Sequence, residues 1–368
     1  MHRVALHYTL HQDASAARGV QHPLAALLGA VADAGSISAA ARVLGLSYRH
    51  AWGELKRWES ALGQPLIHWE KGQAARLTDF GTKLLWAERQ AQARLAPQIE
   101  ALRAELEHAF AAAFDPAVQV LTLHASHDEA LVALRDHANR HAGLHLDVRF
   151  TGSVDAIRAL NEGRCSLAGF HVREQAERTS ATARAYRARL KPGQHKLIGF
   201  ARRTQGLMVA PGNPRHIAGL ADLLRPGLRF VNRERGTGTR VLLEELLARD
   251  GIPPEQIRGW HDTEPSHTAV AQTIAAGLAD AGLGIEAAAR ARGLDFVPLM
   301  EEDYRLVCLK SALDTPAVLA LRALLQSEAW QQALAALPGY RPVDCGRVLS
   351  MSRVLPWWNF SRRKPAHR

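Results

Sequence analysis

Cysteine is scarce in this chain: Cys165, Cys308 and Cys345 are the only three in 368 residues, far apart in sequence and without a CxxC pair. That spacing excludes a disulfide framework and a zinc knuckle and leaves three core thiols. No apolar run approaches the roughly 20 residues of a membrane-spanning helix. The start, Met1 to Gln12, has no apolar signal core, so the expectation is a cytoplasmic protein with no membrane partner. There is no GxSxG elbow and no cysteine in a nucleophile motif, so no catalytic residue and no enzyme activity is expected. His124, His127, His171 and His267 are conceivable metal ligands, but 18 histidines make such coincidences ordinary, and no metal site is assigned.

Acid is also in short supply, 36 Asp and Glu against 46 Lys and Arg, for a formal net charge of +10. The excess favours a polyanionic partner, and with no basic amphipathic helix bearing a bulky apolar face, DNA suits it better than an acidic membrane. With 47% hydrophobic and 22% charged residues, the chain has the composition of a globular protein with room for two or three domains.

Residues 35 to 59 read as a helix-turn-helix. Ala40 and Ala41 let two helices touch, Gly45 supplies the turn, and Ser47 caps a second helix whose Ala51, Leu55 and Trp58 form one apolar stripe. At about 100° per residue, Arg49, Gly53, Lys56 and Ser60 point the other way, with Arg57 at the margin. The outward face is basic, with a gap at the glycine where backbone can approach base edges. Leu62 to Pro65 ends the helix, and Leu66 to Glu70 and Ala74 to Leu77 flank a Lys71-Gly72-Gln73 turn as a wing hairpin. Lys71 and Arg76 are placed to touch phosphates, contacts that orient without reading sequence.

Ala40-Ala41, Leu44, Leu46-Ser47, Ala51, Leu55, Glu59, Leu62-Gly63, Leu66 and Leu77-Thr78-x-Phe80-Gly81 resemble the winged helix-turn-helix of LysR-type regulators. Ser47-Tyr48-x-x-Ala51-Trp52 is similar instead to the molybdate-responsive ModE-type regulators. The resemblance covers about residues 22 to 110. It implies that Ser47, Tyr48, Arg49, Lys56 and Arg57 contact a double-stranded DNA operator while Lys71 and Arg76 touch its backbone. The small β-barrel that carries the ModE-type ligand is not found here, so those ligand residues are not transferred.

A strand over Val4 to Thr9 and a helix over Pro23 to Ala34 are expected within the DNA-binding domain. Thr82 to Phe114 reads as a long helix, with Leu95, Ile99, Leu102, Leu106 and Phe110 as an apolar stripe. That stripe suits a homodimer or higher homo-oligomer, or packing on its own chain. Pro97 is expected to bend or split it. From Ala117 the pattern becomes α/β with a mainly parallel sheet, strands falling at Val118 to His124, Leu144 to Phe150, Leu167 to Val172, Gly206 to Ala210, Leu228 to Val231 and Asp280 to Leu283. Arg178 to Arg203 holds eight Lys or Arg and no acid, either a solvated connector or a second phosphate-facing patch. Ser361 to Arg368 is a basic tail expected to be loose. The expected domains are 1-87 (winged helix-turn-helix), 88-116 (linker and dimerisation helix), 117-348 (effector domain) and 349-368 (tail).

Four strand-to-helix junctions carry the chemistry of the second half. They are Ala125-Ser126-His127-Asp128, Thr151-Gly152-Ser153, Asn232 to Arg240, and Thr263-Glu264-Pro265-Ser266-His267. Each puts backbone N–H groups, hydroxyls and a helix dipole at the carboxyl edge of a sheet, where open α/β folds bind ligands. One dipole adds only about 0.3 to 1 kcal/mol, so several must converge. Ser126 and Ser153 have helix capping as their alternative role. Arg235-Gly236-Thr237-Gly238-Thr239-Arg240 suits a loop wrapped round an oxyanion; it lacks a P-loop lysine and the third glycine of a dinucleotide fingerprint.

Leu207 to Pro214, Arg229 to Arg233 with Gly236 to Arg240, and Ala279 to Ile285 resemble the periplasmic-binding-protein-like domain found with helix-turn-helix modules or in molybdenum-cofactor biosynthesis. The resemblance covers roughly residues 118 to 345. It implies two lobes, hinges near 200 to 206 and 296 to 306, and a ligand between the lobes. Ser126, Ser153, Thr237 and Thr239 would then donate hydroxyls beside Gly236 and Gly238. Arg235 and Arg240 would supply charge, and Glu264, His267 and Asp280 would set selectivity or bridge the lobes. The expected protein is a one-component transcriptional regulator with no built-in cofactor, sensing a small anion: molybdate, tungstate or a molybdenum-cofactor-related compound. The same design sensing an organic acid, or a molybdenum-cofactor-biosynthesis enzyme with an accessory DNA-binding domain, are the alternatives.

Overall fold

A computed structural model describes residues 22–69, 74–114, 119–141, 143–173, 180–355 and 357. The expected strand at Val4 to Thr9, the wing turn with Lys71, and the tail from Ser361 lie outside the described residues. Contacts divide the chain into two units, 1–96 and 97–368.

In the first unit, short polar residues start each helix by accepting an orphan backbone N–H. His22 Nδ1 accepts from Leu24 N ahead of α1 (Pro23–Ala34), the Ser36 hydroxyl from Ala39 N ahead of α2 (Ile37–Val43), and the Ser47 hydroxyl from His50 N, 3.1 Å away, ahead of α3 (Tyr48–Leu62). Gly45, at φ +67°, makes the turn between α2 and α3, a left-handed conformation costly for other residues. Leu27, Leu28, Val31, Ala40, Ala51 and Leu55 form the core. Two short strands, β1 (Ile67–His68) and β2 (Arg76–Leu77), pair antiparallel as the base of the wing. Glu59 fastens the wing to α3, its carboxylate accepting from the amides of Leu66 at 2.8 Å and Ile67 at 3.4 Å. The Thr78 hydroxyl donates to Pro65 O and accepts from Gly81 N at the start of α4 (Asp79–Phe114). That helix runs through Pro97 without a break in its assignment, where the sequence suggested a bend or a split; the division between units falls at this same residue.

The second unit alternates strands and helices: β3 (Gln119–Ala125), α5 (Glu129–His141), β4 (Leu144–Phe150), α6 (Ser153–Asn161), β5 (Leu167–Arg173), α7 (Ala181–Arg187), β6 (His195–Val209), β7 (Phe230–Arg233), α8 (Gly238–Arg249), β8 (Thr263–Glu264), α9 (His267–Ala275), β9 (Ala281–Ile285), α10 (Glu286–Arg290), β10 (Asp295–Leu309), α11 (Pro316–Gln326), α12 (Glu328–Ala335), β11 (Tyr340–Arg341), β12 (Val348–Leu349) and α13 (Met351–Val354). The sheet order is β4-β3-β5-β10-β6-β9-β7-β8, with β11 and β12 also pairing to β6. Each end of the sheet is parallel, β4-β3-β5 on one side and β9-β7-β8 on the other. Between them run two 15-residue strands, β6 and β10, antiparallel to each other and to their neighbours β9 and β5. The sheet is therefore parallel within each half and antiparallel at its centre. The stretches expected as hinges lie opposite one another in this central pair. The basic connector contributes α7 and the first part of β6, so among the described residues it is structured. The largest core packs around Trp330, which is fully buried and stacked 6.1 Å from Phe200.

Two glycines of the first unit behave oppositely. A Cβ at Gly81 would lie 2.3 Å from the Leu66 carbonyl oxygen, whereas one at Gly53 meets nothing within 4 Å. Gly53→Ala should stabilise α3 by about 0.5–1 kcal/mol, and Gly81→Ala should destabilise the unit by more than about 1 kcal/mol. Amide hydrogen exchange along α3 in the full chain measures both, and equal protection in the two variants would contradict this packing.

Candidate functional site

The outward side of α3 has the composition its spacing forecast. Ala51 and Leu55 are fully buried, while Tyr48, Arg49, Gly53, Lys56, Arg57 and Ser60 are exposed and Trp58 is half-buried. Tyr48 stacks on Trp52, Lys56 Nζ lies 4.7 Å from the Trp52 ring centroid, and Trp69 from the wing meets Trp52 edge-on. The face is thus aromatic as well as cationic. Lys56 pairs with Glu59 at 2.7 Å and Arg57 with Glu54 at 2.5 Å. Arg76 is exposed in β2 opposite His68. Ser47 is engaged as the cap of α3.

In the second unit the carboxyl ends of β3, β4, β7 and β8 meet the starts of α5, α6, α8 and α9. Ser126 and Ser153 come from two of these junctions, and their hydroxyls stand 3.3 Å apart. Neither caps a helix: Asp128 accepts from Ala130 N at the start of α5, and α6 has Gly152 at its N-cap with no side-chain bond. A Cβ at Gly152 would approach Gly236 O to 3.1 Å, and one at Gly238 would lie 3.8 Å from Ser153 Oγ, so the third junction closes over the second. A pocket beside them is lined by Ser153, His171, Tyr186, Gly236, Gly238 and Glu302.

The remaining expected residues divide. Thr237 caps α8, accepting from Arg240 N and donating to Glu234 O. Thr239 is buried, with its hydroxyl near Gln205 Nε2 and His267 Nε2. Arg235 is exposed. Arg240 is turned away from the junction, its guanidinium 3.6 Å from the Trp260 ring centroid and bonded to Glu244 and to Trp260 O. The indole face and the Glu244 carboxylate take the charge that the sequence assigned to a ligand. Glu264 is buried and accepts from the Thr273 hydroxyl. Asp280 precedes β9 at the amino edge of the sheet, where it binds the backbone and guanidinium of Arg229, which lower its pKa against the opposing effect of burial. The structure therefore brings together Ser126, Ser153, Gly236, Gly238, Thr239 and His267, and leaves Asp280 at the opposite edge.

Two arginines that the sequence reading did not single out are buried here. Arg203 of β6 pairs with Asp128 and with Glu302, the latter at 2.6 Å, and Tyr340 donates to Asp128 at 2.8 Å. Burial opposes its charge, but the two carboxylates hold its pKa well above the usual value. Arg233, the last residue of β7, has no carboxylate within ion-pair distance among the described residues. Its guanidinium makes a long bond, 3.5 Å from Nη1 to Glu264 O, and its Nε is buried without a partner. Burial lowers its pKa to about 10. His127 Nδ1, His171 Nε2 and Tyr304 Oη are likewise buried and unpartnered. Burial holds His171 and His267 well below the ordinary imidazole value, and the charges of Arg233 and Arg203 add to the effect on His267. The Asn232-Arg233 junction was legible as a loop start; the two-residue shift of β7 that buries Arg233 was not.

Comparison with known proteins agrees with both units. Residues 24–82 match the bacterial regulatory helix-turn-helix of the lysR family, and residues 134–326, just over half of the chain, match the PBP superfamily domain. The Bacillus subtilis (strain 168) uncharacterized protein YvgK is 34% identical over 202 residues, which are 55% of this chain and 64% of YvgK. The chain thus spans less than two-thirds of that relative's length. An uncharacterized Clostridium pasteurianum protein in the 5′ region of a ferredoxin 2Fe-2S gene is 33% identical over 111 residues, 30% of this chain and 98% of that protein. Among solved structures, a Corynebacterium glutamicum OxyR mutant with H2O2 bound aligns at 18% identity and a TM-score of 0.44, covering 85% of this chain and 93% of that one. The chain belongs to the PBP superfamily and carries a lysR-family helix-turn-helix ahead of its PBP domain.

Proposed function

We propose that this chain is a DNA-binding, one-component transcriptional regulator whose PBP domain senses a small anion. The observation that carries the ligand reading is Arg233, a buried guanidinium with no carboxylate within ion-pair distance among the described residues, set beside Glu264 at the junction that leads into α9. This reading assigns the hydroxyls of Ser126, Ser153 and Thr239, from neighbouring strand-to-helix junctions, to the same anion. The serine hydroxyls are 3.3 Å apart and Gly152 closely approaches Gly236, which supports a compact tetrahedral oxyanion, molybdate or tungstate, over an extended organic acid. Leu95 and Leu102 are exposed on α4, which supports that helix as the seam of a homodimer reading a two-fold symmetric operator.

Isothermal titration of the full chain with molybdate, tungstate, sulfate, phosphate and a panel of small carboxylates tests the ligand. At least one tetrahedral dianion should bind, and Arg233→Met should weaken it by about 100-fold, the cost of removing a charged hydrogen-bonding partner. Heat released by carboxylates alone, or by none of the panel, would remove this reading.

On DNA, duplexes selected from a random pool by the full chain provide the probe. Arg49→Ala should relax sequence preference, costing about 1–3 kcal/mol on the preferred duplex. Lys71→Ala should weaken all duplexes alike and flatten the logarithmic salt slope by about one unit. Unchanged gel-shift titrations for both variants would show that α3 and the wing are not the reading surface.

A further inference from the structure

Thr239 sits in the first turn of α8, buried, with its hydroxyl 3.2 Å from Gln205 Nε2 and 3.4 Å from His267 Nε2. Which of these three groups donates decides what the hydroxyl can offer a ligand. Gln205 settles its own part: Nε2 is also 2.9 Å from Glu302 Oε1, a carboxylate oxygen that already accepts from Arg203 Nε at 2.7 Å. Only an amide N–H can face that oxygen, so the second N–H of the same nitrogen is the one directed at Thr239. One lone pair of the threonine oxygen is thereby taken.

His267 settles the other. Its Nδ1 is buried without a hydrogen-bond partner, facing Gly284 beside Met208; a Cβ added at Gly284 would lie 3.2 Å from that nitrogen. A stranded N–H in such surroundings is rarer and costlier than a stranded lone pair. The ring therefore carries its single proton on Nε2 and donates it to Thr239. Burial, with Arg233, Arg203, His127 and His171 around it, keeps the imidazole neutral. Receiving two hydrogen bonds, the threonine oxygen has its own proton left over and, among the described residues, no acceptor for it.

We propose that Gln205 and His267 are positioning residues that commit the Thr239 hydroxyl to donate to the bound anion. The inference rests on the anion-binding reading of the cleft. It adds that a side chain able to act as donor or acceptor is locked in one role, through a chain running from Arg203 and Glu302 to Gln205, Thr239 and His267. An anion's lone pairs match that donor, whereas a ligand hydroxyl meeting the same oxygen finds no free lone pair.

The test is a double-mutant cycle in the full chain, titrated calorimetrically with molybdate, tungstate, sulfate and phosphate. Thr239→Val and His267→Ala should each weaken binding by about tenfold, the worth of one hydrogen bond in a buried site. The double variant should be no weaker than Thr239→Val, because His267 acts only through the hydroxyl. His267→Gln, which places an amide N–H where Nε2 was, should stay within about threefold of the parent. Additive losses in the double variant, or a glutamine no better than alanine, would overturn the proposal. Arg233→Met separates this from the cleft reading. If that variant loses binding while the cycle is additive, only the positioning chain fails; if it binds like the parent, or the parent binds none of the four anions, the cleft reading falls and this inference with it.

Discussion

Arg203 and Arg233 are both buried in the PBP domain, and among the described residues only Arg203 has carboxylates within ion-pair distance. Arg203 is held by Asp128 and Glu302, with Tyr340 bonded to Asp128. These residues come from β6, the start of α5, β10 and β11, so one guanidinium ties the central strand pair to the first parallel half. Breaking such a pair leaves a buried charge uncompensated, typically about 3–5 kcal/mol. Among the described residues the Arg233 guanidinium has only a long bond to a backbone oxygen. Its burial is strong enough to lower its pKa to about 10, yet at neutral pH it stays charged, and fixed dipoles in place of water leave that charge poorly satisfied. An anion beside Arg233, as proposed above, would relieve this cost, whereas Arg203 already has its counter-charges.

The hydroxyls at the strand-to-helix junctions follow a related logic. A serine at a strand-to-helix junction usually caps the helix, but Asp128 and Gly152 occupy those positions here, and Ser126 and Ser153 bond each other instead. Thr237 does cap α8, which leaves Thr239 free to be oriented by Gln205 and His267. Capping by a neighbour is thus what makes a hydroxyl available, and the division of labour between Thr237 and Thr239 shows it two residues apart.

Signals decided by neighbours in sequence were legible; those decided across the fold were not. The start of α1 at Pro23, the Ser47 cap and the exposure of Arg49 and Lys56 follow from local spacing. Leu144 to Phe150 appears as β4 with the limits its apolar run suggested. The role of Arg240 was misread because Trp260, twenty residues away, captures its guanidinium. Arg229 likewise captures Asp280 at the wrong edge of the sheet. Arg233 escaped notice because burial at the end of β7 depends on strand partners that periodicity does not reveal. The antiparallel β6–β10 pair was visible only as two suspected hinges, since its register joins residues about one hundred positions apart.

The ion pairs on α3 bear directly on how its cations could serve DNA. Lys56–Glu59 is a pair on an exposed helix face, worth about 0.3–0.5 kcal/mol, and Arg57–Glu54 beside it faces solvent and is screened by water. Glu59 does not depend on Lys56: the backbone amides of Leu66 and Ile67 bind the same carboxylate. Lys56 can therefore move to a phosphate without stranding a charge, and the wing keeps its attachment to α3. The carboxylate that fastens the wing also lies beside Lys56 in the free protein, so releasing the cation costs little. Phosphate contacts gain by freeing counterions from the duplex, a term larger than one surface pair at low salt. On these magnitudes the exchange would be favourable at low salt and weaker as salt screens the duplex.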